Sequence, residues 1–181
     1  MKLIMLGPPG SGKGTQAKLL AEDLKLKHIV ASDLIKEEIK NSSSKGKLMK
    51  SYLTQGKLVP ENLVGSLIKE VLPENNFLLD GYPRTVMQAE FLDGLNKPNK
   101  VIFLDAPIKI LKDRMLKRAK IENRVDDTPE IINLRLEIYK KETNPLLDYY
   151  KDRLIKVNGN RSVEEIEKEL LKKLKNANRS S

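Results

Sequence analysis

The first fifteen residues of the chain restrict its fold more than any other stretch. A short apolar run over residues 3–6 leads directly into the glycine-rich segment Gly7-Pro-Pro-Gly-Ser-Gly-Lys-Gly-Thr15, and the residues after it have a helical pattern. Glycines allow the main chain to turn sharply, so that its N–H groups converge on a concavity at the start of the helix. We therefore expect a buried strand, an anion-binding loop and a helix in immediate succession.

The loop follows the pattern G-x-x-x-x-G-K-[ST], except that Gly14 stands where Ser or Thr is usual. Lys13 would bring a positive charge to the terminal phosphates of a nucleotide, and the Thr15 hydroxyl is the nearest candidate for a metal or phosphate contact. The alternative is an ordinary glycine-rich turn between a strand and a helix. Because strand, loop and helix occur in the required order, we favour a site for a nucleotide polyphosphate.

Length and composition limit the remaining possibilities. The 181 residues suffice for one well-buried domain, and no apolar run approaches the length of a membrane span. Prolines and glycines interrupt the first apolar stretch too early for a secretory signal, so we expect a cytoplasmic protein. The chain has no cysteine and one histidine, His28, which we interpret as a residue at the edge of a strand. Disulfides and thiolate metal sites are excluded, and zinc is not expected.

The net charge of +9 comes from 34 basic and 25 acidic residues. Such a balance is compatible with nucleic acid, an anionic membrane or small anionic substrates as partners. Aromatic residues make up only 4% of the chain and do not alternate with basic runs, as they do in proteins that bind single strands. We therefore expect nucleotides as partners, and neither nucleic acid nor membrane.

Five short and nearly all-apolar runs predict strands buried on both faces, and therefore a parallel sheet covered by helices. They span residues 3–6, 28–31, 77–80, 101–105 and 154–157. Two stretches are too polar for the centre of such a sheet, 32–59 and 118–127, and both follow strands on the side where open α/β sheets place their ligands. We expect them to be mobile flaps, with a polar loop over residues 42–46 in the first.

A second motif, Phe77-Leu-Leu-Asp-Gly-Tyr-Pro-Arg84, ends a predicted strand with an aspartate. In a protein with a phosphate-binding loop, this is the expected place for a carboxylate that holds the hydration shell of Mg²⁺. Arg84 follows a Gly-Tyr-Pro turn that could position its guanidinium for a phosphate. The alternative interpretation of Asp80 is a turn former at the end of a strand.

A third cluster consists of arginines on two predicted helices and the loop between them. Arg114 and Arg118 are four residues apart and share a helix face, Arg124 precedes Val-Asp-Asp127, and Arg135 lies on the next helix. Each arginine alone could belong to a solvated surface. Four of them beside a phosphate-binding loop predict a site for phosphoryl transfer, which needs cations on the donor, the acceptor and the moving group.

With these clusters the chain resembles the nucleoside monophosphate kinases, and the adenylate kinases most closely, over residues 1–175. The matching stretches are Gly7-Pro-Pro-Gly-Ser-Gly-Lys-Gly-Thr-Gln16, Gln55-Gly-Lys-Leu-Val59, Phe77-Leu-Leu-Asp-Gly-Tyr-Pro-Arg-Thr85 with Gln88, Arg124-Val-Asp-Asp127 and Asn144-Pro-Leu-Leu-Asp-Tyr-Tyr150. The resemblance implies a core of the P-loop NTPase type with a five-stranded parallel sheet and helices on both faces. That core would comprise residues 1–30, 60–114 and 128–181. An acceptor flap would span 31–59 and a short lid without zinc 115–127.

The resemblance also implies Mg²⁺-dependent transfer of a phosphoryl group from ATP or another nucleoside triphosphate to AMP, by a protein that is monomeric. Catalytic roles would fall to Lys13, Arg84, Arg118, Arg124 and Arg135. Donor binding would involve Gly10, Ser11, Gly12, Lys13, Gly14, Thr15, Arg114 and Arg161, and Asp80 would hold Mg²⁺ through water. AMP would contact Ala31, Lys36, Lys57, Val59, Gly81, Arg84, Gln88, Arg124 and Arg135.

The chain departs from the family pattern in the acceptor flap. Where adenylate kinases usually have Thr-Gly-Asp-x-x-Arg, it has Ala31-Ser-Asp-Leu-Ile-Lys36. Lys36 keeps the positive charge but lacks the bidentate fork of arginine. Ala31 is typical of uridylate and cytidylate kinases, whereas Gln88 is typical of adenylate kinases. Two alternatives to an AMP kinase therefore stay open, a pyrimidine nucleotide kinase and a P-loop NTPase that acts on nucleic acid.

Overall fold

A computed structural model describes residues 1–55, 57–121 and 128–179 of the chain. Its centre is a sheet of five parallel strands in the order β2-β3-β1-β4-β5. The strands are β1 (Lys2–Leu6), β2 (Lys27–Val30), β3 (Phe77–Asp80), β4 (Lys100–Asp105) and β5 (Leu154–Asn158). The sequence-based prediction of five parallel strands is thus confirmed, with ends that differ by at most one residue. Ala31 was expected in β2 and is instead the first residue of the following helix.

Helices connect and cover the strands. They are α1 (Lys13–Asp23), α2 (Ala31–Lys40), α3 (Ser44–Thr54), α4 (Glu61–Val71), α5 (Val86–Asn96), α6 (Ile108–Ile121), α7 (Pro129–Ile138), α8 (Leu146–Tyr149) and α9 (Val163–Arg179). A π-helical segment, Tyr139–Thr143, continues α7, and a 3₁₀ turn, Lys151–Arg153, precedes β5. Within the described ranges, each helix is too short or too polar to cross a lipid bilayer.

The two faces of the sheet bury different side chains, because successive residues of a strand point in opposite directions. In β1, Leu3 and Met5 pack with the buried faces of α1 and α9. Ile4 and Leu6 belong to a larger cluster on the other face, which includes residues of α4, α5 and α8. All four side chains are at most 3% exposed, so β1 is buried on both faces, as its apolar run predicted.

The first polar stretch folds as two helices. The expected loop over residues 42–46 is wrong in part, because α3 already begins at Ser44. The Ser43 hydroxyl accepts a hydrogen bond from the main-chain N–H of Gly46 at 2.8 Å and so caps this helix. A Cβ on Gly46 would lie 2.3 Å from the carbonyl oxygen of Glu38, so only glycine allows α2 and α3 to pack this closely. Met49, fully buried, joins this pair of helices to the core.

The carboxyl ends of the strands all lie at one edge of the sheet. Because β1 has β3 on one side and β4 on the other, the chain changes direction of winding at β1. The glycine-rich loop leaves the sheet at this point. The register pairs Met5 with Asp80, and Val30 lies opposite Asp80 on the other side. The sheet therefore brings the loop, Asp80 and the start of α2 together.

Candidate active site

The glycine-rich loop is shaped by two glycines with left-handed backbone. Gly10 has a φ of 81°, and a Cβ there would lie 2.6 Å from the carbonyl oxygen of Leu111 in α6. Gly12 has a φ of 89° and precedes α1, and a Cβ there would have no described atom within 4 Å. Gly10 thus lets the loop pack against α6, while Gly12 borders open space at the helix N-terminus. This is the arrangement in which main-chain N–H groups bind phosphate.

Ser11 lies at the bottom of this loop. It is 1% exposed, and its hydroxyl has no hydrogen-bond partner among the described residues. Its main-chain N–H donates to the carbonyl of Pro8 at 3.1 Å, which closes the turn. Thr15, by contrast, is exposed in the first turn of α1. The Thr15 side chain is thus accessible from solvent, whereas that of Ser11 is not.

Lys13 is the centre of a group of charged side chains. Burial lowers the pKa of its ammonium group from 10.5 to about 8; the Asp80 carboxylate opposes this shift, and the positive charges of Arg84 and Arg118 reinforce it. These groups come from the loop, from β3, from the turn after β3 and from α6. The structure therefore brings together residues that are up to 105 positions apart in the sequence.

Asp80 is the carboxylate of this group. It ends β3 and is 7% exposed. A Cβ on Gly14 would lie 3.4 Å from Asp80 Oδ2, so the carboxylate is next to the position where the common motif has Ser or Thr. On the opposite side, His28 Nε2 is 4.0 Å from the same oxygen and has no hydrogen-bond partner within the described part of the chain.

Arg84 lies near enough to Lys13 for its charge to act on the ammonium group. Its Nε donates to the carbonyl of Gly81 at 2.9 Å, which folds the side chain back over the turn. The pKa of its guanidinium is lowered, first by removal from water and then by the charge of Arg135, and Asp80 raises it. Arg135 is on α7, so that helix reaches the same charged cluster. Although neighbouring atoms crowd its guanidinium, Arg84 as a whole is exposed to solvent, so an anion can reach it.

Three of the residues expected at the acceptor base, Ala31, Val59 and Gln88, are buried. Ala31 is 2% exposed, and its Cβ is 3.8 Å from a Cβ built on Gly81. The Gln88 side chain accepts a hydrogen bond through Oε1 from the main-chain N–H of Arg84 at 2.7 Å. A main-chain N–H can only donate, so the amide oxygen of Gln88 faces Arg84 N. The Nε2 group of the same amide therefore points away from that N–H.

Two of the expected acceptor residues, Lys36 and Lys57, are instead exposed. Lys36 is exposed on α2, and its Nζ binds Asp33 Oδ1 of the same helix at 3.1 Å. Lys57 is exposed after α3, and its main-chain N–H donates to the carbonyl of Tyr52 at 3.0 Å. Neither is in contact with the charged group around Lys13 in this structure. Both lie in the stretch that we expect to move.

On the donor side, Arg114 joins two loops. Its guanidinium donates to the carbonyl of Gly159, after β5, at 2.9 Å and to the carbonyl of Ser11 at 3.4 Å. Arg161, in the same loop as Gly159, forms an ion pair with Glu169 of α9. Helix α6 extends through Arg118 to Ile121, so the predicted lid begins within a helix. Arg124, Asp126 and Asp127 lie outside the described residues.

Three side chains of this region make contacts that the sequence analysis did not predict. Thr143 donates through Oγ1 to the carbonyl of Arg84 at 2.8 Å, although 59 positions separate them. Gln16, 1% exposed, donates through Nε2 to the carbonyl of Val163 at 2.9 Å and so links α1 to α9. Tyr82 OH donates to the carbonyl of Gln88 at 3.3 Å. Only Gln16 and Tyr82 lie within the motif stretches, and nothing in those motifs predicts their contacts.

The amino-acid sequence is similar to those of several known proteins. A family model described as adenylate kinase matches residues 5–155. Adenylate kinase 1 from Nostoc sp. is 43% identical over 180 residues, which cover 93% of this chain and 96% of that protein. An adenylate kinase from Bifidobacterium longum is 44% identical, over 92% of this chain and 95% of that protein.

A third relative is matched over its own full length. An adenylate kinase from Stenotrophomonas maltophilia is 39% identical over 97% of this chain and 100% of that protein. The family model, which spans residues 5–155, thus includes the glycine-rich loop and the turn around Arg84. The chain belongs to the adenylate kinase family.

Proposed function

We propose that the cleft between the glycine-rich loop and Arg84 transfers the γ-phosphoryl group of ATP to AMP. The reaction is that of the family, a reversible conversion of ATP and AMP into two molecules of ADP. One observation carries the assignment to this cleft. A Cβ on Gly14 would lie 3.4 Å from Asp80 Oδ2, so the carboxylate that ends β3 meets the glycine-rich loop, and its charge acts on both Lys13 and Arg84.

The chain's own residues would act by positioning and by charge. An oxygen of the AMP phosphate attacks the γ-phosphorus, and the bond to the β,γ-bridging oxygen breaks as ADP leaves. Lys13 and the loop N–H groups would hold the donor phosphates, and Arg84 the acceptor phosphate. Arg118 and Arg135 would stabilise the charge of the moving group, and we assign Arg124 to the same task. No protein nucleophile is needed, because alignment and electrostatic stabilisation are sufficient.

Asp80 fits a site for hydrated Mg²⁺, and we assign the Thr15 hydroxyl to the same site. Within residues 1–55, 57–121 and 128–179, no three His, Asp or Glu side chains form a group that could enclose a metal ion. Mg²⁺ bound with nucleotide keeps several waters and needs only one or two carboxylates from the protein. Asp80, beside Gly14, offers one carboxylate at the edge of the loop. When bound, Mg²⁺ would neutralise charge on the β- and γ-phosphates.

The acceptor side supports adenine. Adenine presents N6 as a donor and N1 as an acceptor, and the Gln88 amide can meet such an edge through Nε2 and the second lone pair of Oε1. Ala31 lacks the hydroxyl that relatives carry, which reduces the contacts to the acceptor without favouring a pyrimidine. A buried polar group left unpaired by the wrong base costs roughly 1–3 kcal/mol, or about ten- to a hundredfold in specificity.

A coupled assay of ADP formation tests this function. With ATP as donor, we expect kcat/KM for AMP to exceed that for UMP, CMP and GMP by about ten- to a hundredfold. Equal values for UMP or CMP would reassign the chain to the pyrimidine nucleotide kinases. ATP hydrolysis that does not depend on AMP, together with salt-sensitive binding of RNA, would instead indicate an NTPase that acts on nucleic acid.

A further inference from the structure

The main chain of Arg84 is held from both sides by side chains of other segments. Arg84 lies in the irregular stretch between β3 and α5, where no ladder or helical hydrogen bond fixes it. Its N–H donates to Oε1 of Gln88 at 2.7 Å, and its carbonyl accepts from Oγ1 of Thr143 at 2.8 Å. Both peptide planes that flank its Cα are therefore fixed. Since peptide planes are rigid, the direction in which the side chain leaves the backbone is fixed as well.

Thr143 reaches Arg84 from the π-helical segment that continues α7. The segment Tyr139–Thr143 is marked by a hydrogen bond from the N–H of Asn144 to the carbonyl of Tyr139 at 2.9 Å, five residues apart. Single π-turns within helices occur often at functional sites. Here the helical run that carries Arg135 also carries Thr143, eight residues later. Thr143 itself is 8% exposed, so water has little access to its hydroxyl.

We propose that Thr143 is a positioning residue of the acceptor site. Its hydroxyl fixes the position of the Arg84 main chain relative to the helix that carries Arg135. Because the Arg84 main chain in turn binds Gln88, the same hydroxyl positions both the Arg84 guanidinium and the Gln88 amide. One hydroxyl thereby links an acceptor-phosphate residue, an acceptor-base residue and a residue of the phosphoryl-transfer cluster. This inference rests on the proposed function of Arg84.

The link matters because phosphoryl transfer depends on alignment. A displacement of about 1 Å in a positioning group can reduce the rate by about a hundredfold. Without the Thr143 hydroxyl, the peptide after Arg84 loses the bond that opposes its rotation. The donor side has its own ties, through Arg114 and Gln16, and does not depend on Thr143. We therefore expect removal of the hydroxyl to lower kcat/KM for AMP and to leave KM for ATP unchanged.

The test compares Thr143→Val, which keeps the shape and removes the hydroxyl, with Thr143→Ser, which keeps the hydroxyl. We expect kcat/KM for AMP to fall by about ten- to a hundredfold in T143V, with KM for ATP within about twofold of the wild type. T143S should stay within about threefold of the wild type. Ser66→Ala is the matched control, since Ser66 Oγ also donates to a main-chain carbonyl at 2.8 Å, but within α4. We expect S66A to change neither constant.

A second measurement separates positioning from general destabilisation. AMP binding is measured by calorimetry, without ATP, in the wild type, T143V, Arg84→Ala and the double variant. T143V should weaken binding about tenfold beside an intact Arg84 and by only about threefold in the R84A background, where the guanidinium is gone but the main chain of residue 84 still positions the Gln88 amide. If T143V does not fold, T143A against T143S gives the same comparison.

Several results would overturn the inference. One is an unchanged kcat/KM for AMP in T143V with only a lower Tm. Another is an equal fall in kcat/KM for AMP in T143V and T143S. The third is a loss of AMP affinity from T143V that is the same with and without the Arg84 side chain. A wild-type protein that neither binds nor phosphorylates AMP would instead refute the proposed function. The two failures are therefore distinguishable.

Discussion

The guanidinium of Arg114 donates a hydrogen bond to the main-chain carbonyl of Gly159 at 2.9 Å, which ties α6 to the loop after β5. A second, longer bond reaches the carbonyl of Ser11 at 3.4 Å. A Cβ on Gly159 would lie 3.2 Å from the carbonyl oxygen of Ser11, so the two loops are in close contact. Arg114 thus fixes the loop after β5 against the phosphate-binding loop.

Replacement of Arg114 by methionine should therefore affect the donor selectively. We expect KM for ATP to rise by about tenfold or more, because two carbonyl contacts of a charged donor are lost, while KM for AMP stays within about twofold. Steady-state kinetics with each substrate varied in turn give both constants. Arg153→Met is the matched control. Arg153 also donates to a carbonyl, that of Pro98 at 3.1 Å, and pairs with Asp93, outside the cleft.

The control should lower the thermal stability without a change in KM for ATP. Equal effects of R114M on the two KM values would mean that Arg114 supports the fold in general and not the donor loops.

The lowered pKa of Lys13 predicts an effect on stability as well as on activity. Its folded pKa of about 8 lies below the ordinary 10.5, so between these values the folded state binds fewer protons than the unfolded chain. The contribution of Lys13 to the free energy of unfolding therefore rises as the pH increases from about 8 to 10.5. Lys13→Met removes the cost of the half-buried ammonium and should stabilise the unliganded protein at pH 7 by roughly 1–3 kcal/mol.

Urea unfolding of K13M and the wild type, at pH 7 and pH 10.5, measures this difference, which should shrink at the higher pH. The same variant should lose a factor on the order of 10³–10⁵ in turnover, since a cation on the phosphates is removed. In the wild type, kcat/KM for ATP should decrease above about pH 8, because that constant reports the free enzyme. K13M that is both active and no more stable would contradict the placement of Lys13.

Much of this site could be predicted from the sequence, because each of its motifs is local. A strand that ends in Asp80 and a glycine-rich loop that ends in Lys13 are defined by residues a few positions apart, and parallel strands bring their carboxyl ends to one edge. The contact of Thr143 with Arg84 could not be predicted, since it spans 59 positions and depends on a π-turn. The start of α3 was also missed, because Ser43 acts as a cap and the residues after it looked like a loop.

Asp80→Asn should change the dependence on Mg²⁺ in particular. The substitution keeps the size of the side chain and removes its charge, so the hydrated cation loses its carboxylate. We expect the Mg²⁺ concentration for half-maximal turnover to rise by about tenfold or more, because one carboxylate contact with a cation is worth at least one hydrogen bond to a charged group. Asp105→Asn is the matched control, since Asp105 also ends a strand, β4, and is exposed. An unchanged Mg²⁺ curve in D80N would exclude Asp80 from the metal site.

The two flaps should close over bound substrates. A bisubstrate mimic with two adenosines joined by a polyphosphate would fill both halves of the cleft, and lids of this kind close to exclude water. We expect it to slow amide hydrogen exchange across residues 31–59 and 115–127 more than ATP alone does. The buried strand β1 serves as the internal reference, since its exchange should stay slow in both states. Equal exchange of the flaps with and without the mimic would contradict closure.

Lys36→Arg should tighten the acceptor site. In this structure the Lys36 ammonium binds Asp33 of its own helix, and both side chains are 64% exposed, so the contact is weak and easily exchanged for a phosphate. An arginine at this position offers two parallel N–H donors to the AMP phosphate where lysine offers a point charge. We expect KM for AMP to fall by about three- to tenfold, with KM for ATP unchanged, because a bidentate contact adds about one hydrogen bond to a charged group.

Lys40→Arg, on the exposed last turn of the same helix, makes the same chemical change away from the cleft and should alter neither constant. If K36R leaves KM for AMP unchanged, or if K40R lowers it equally, Lys36 does not contact the acceptor phosphate.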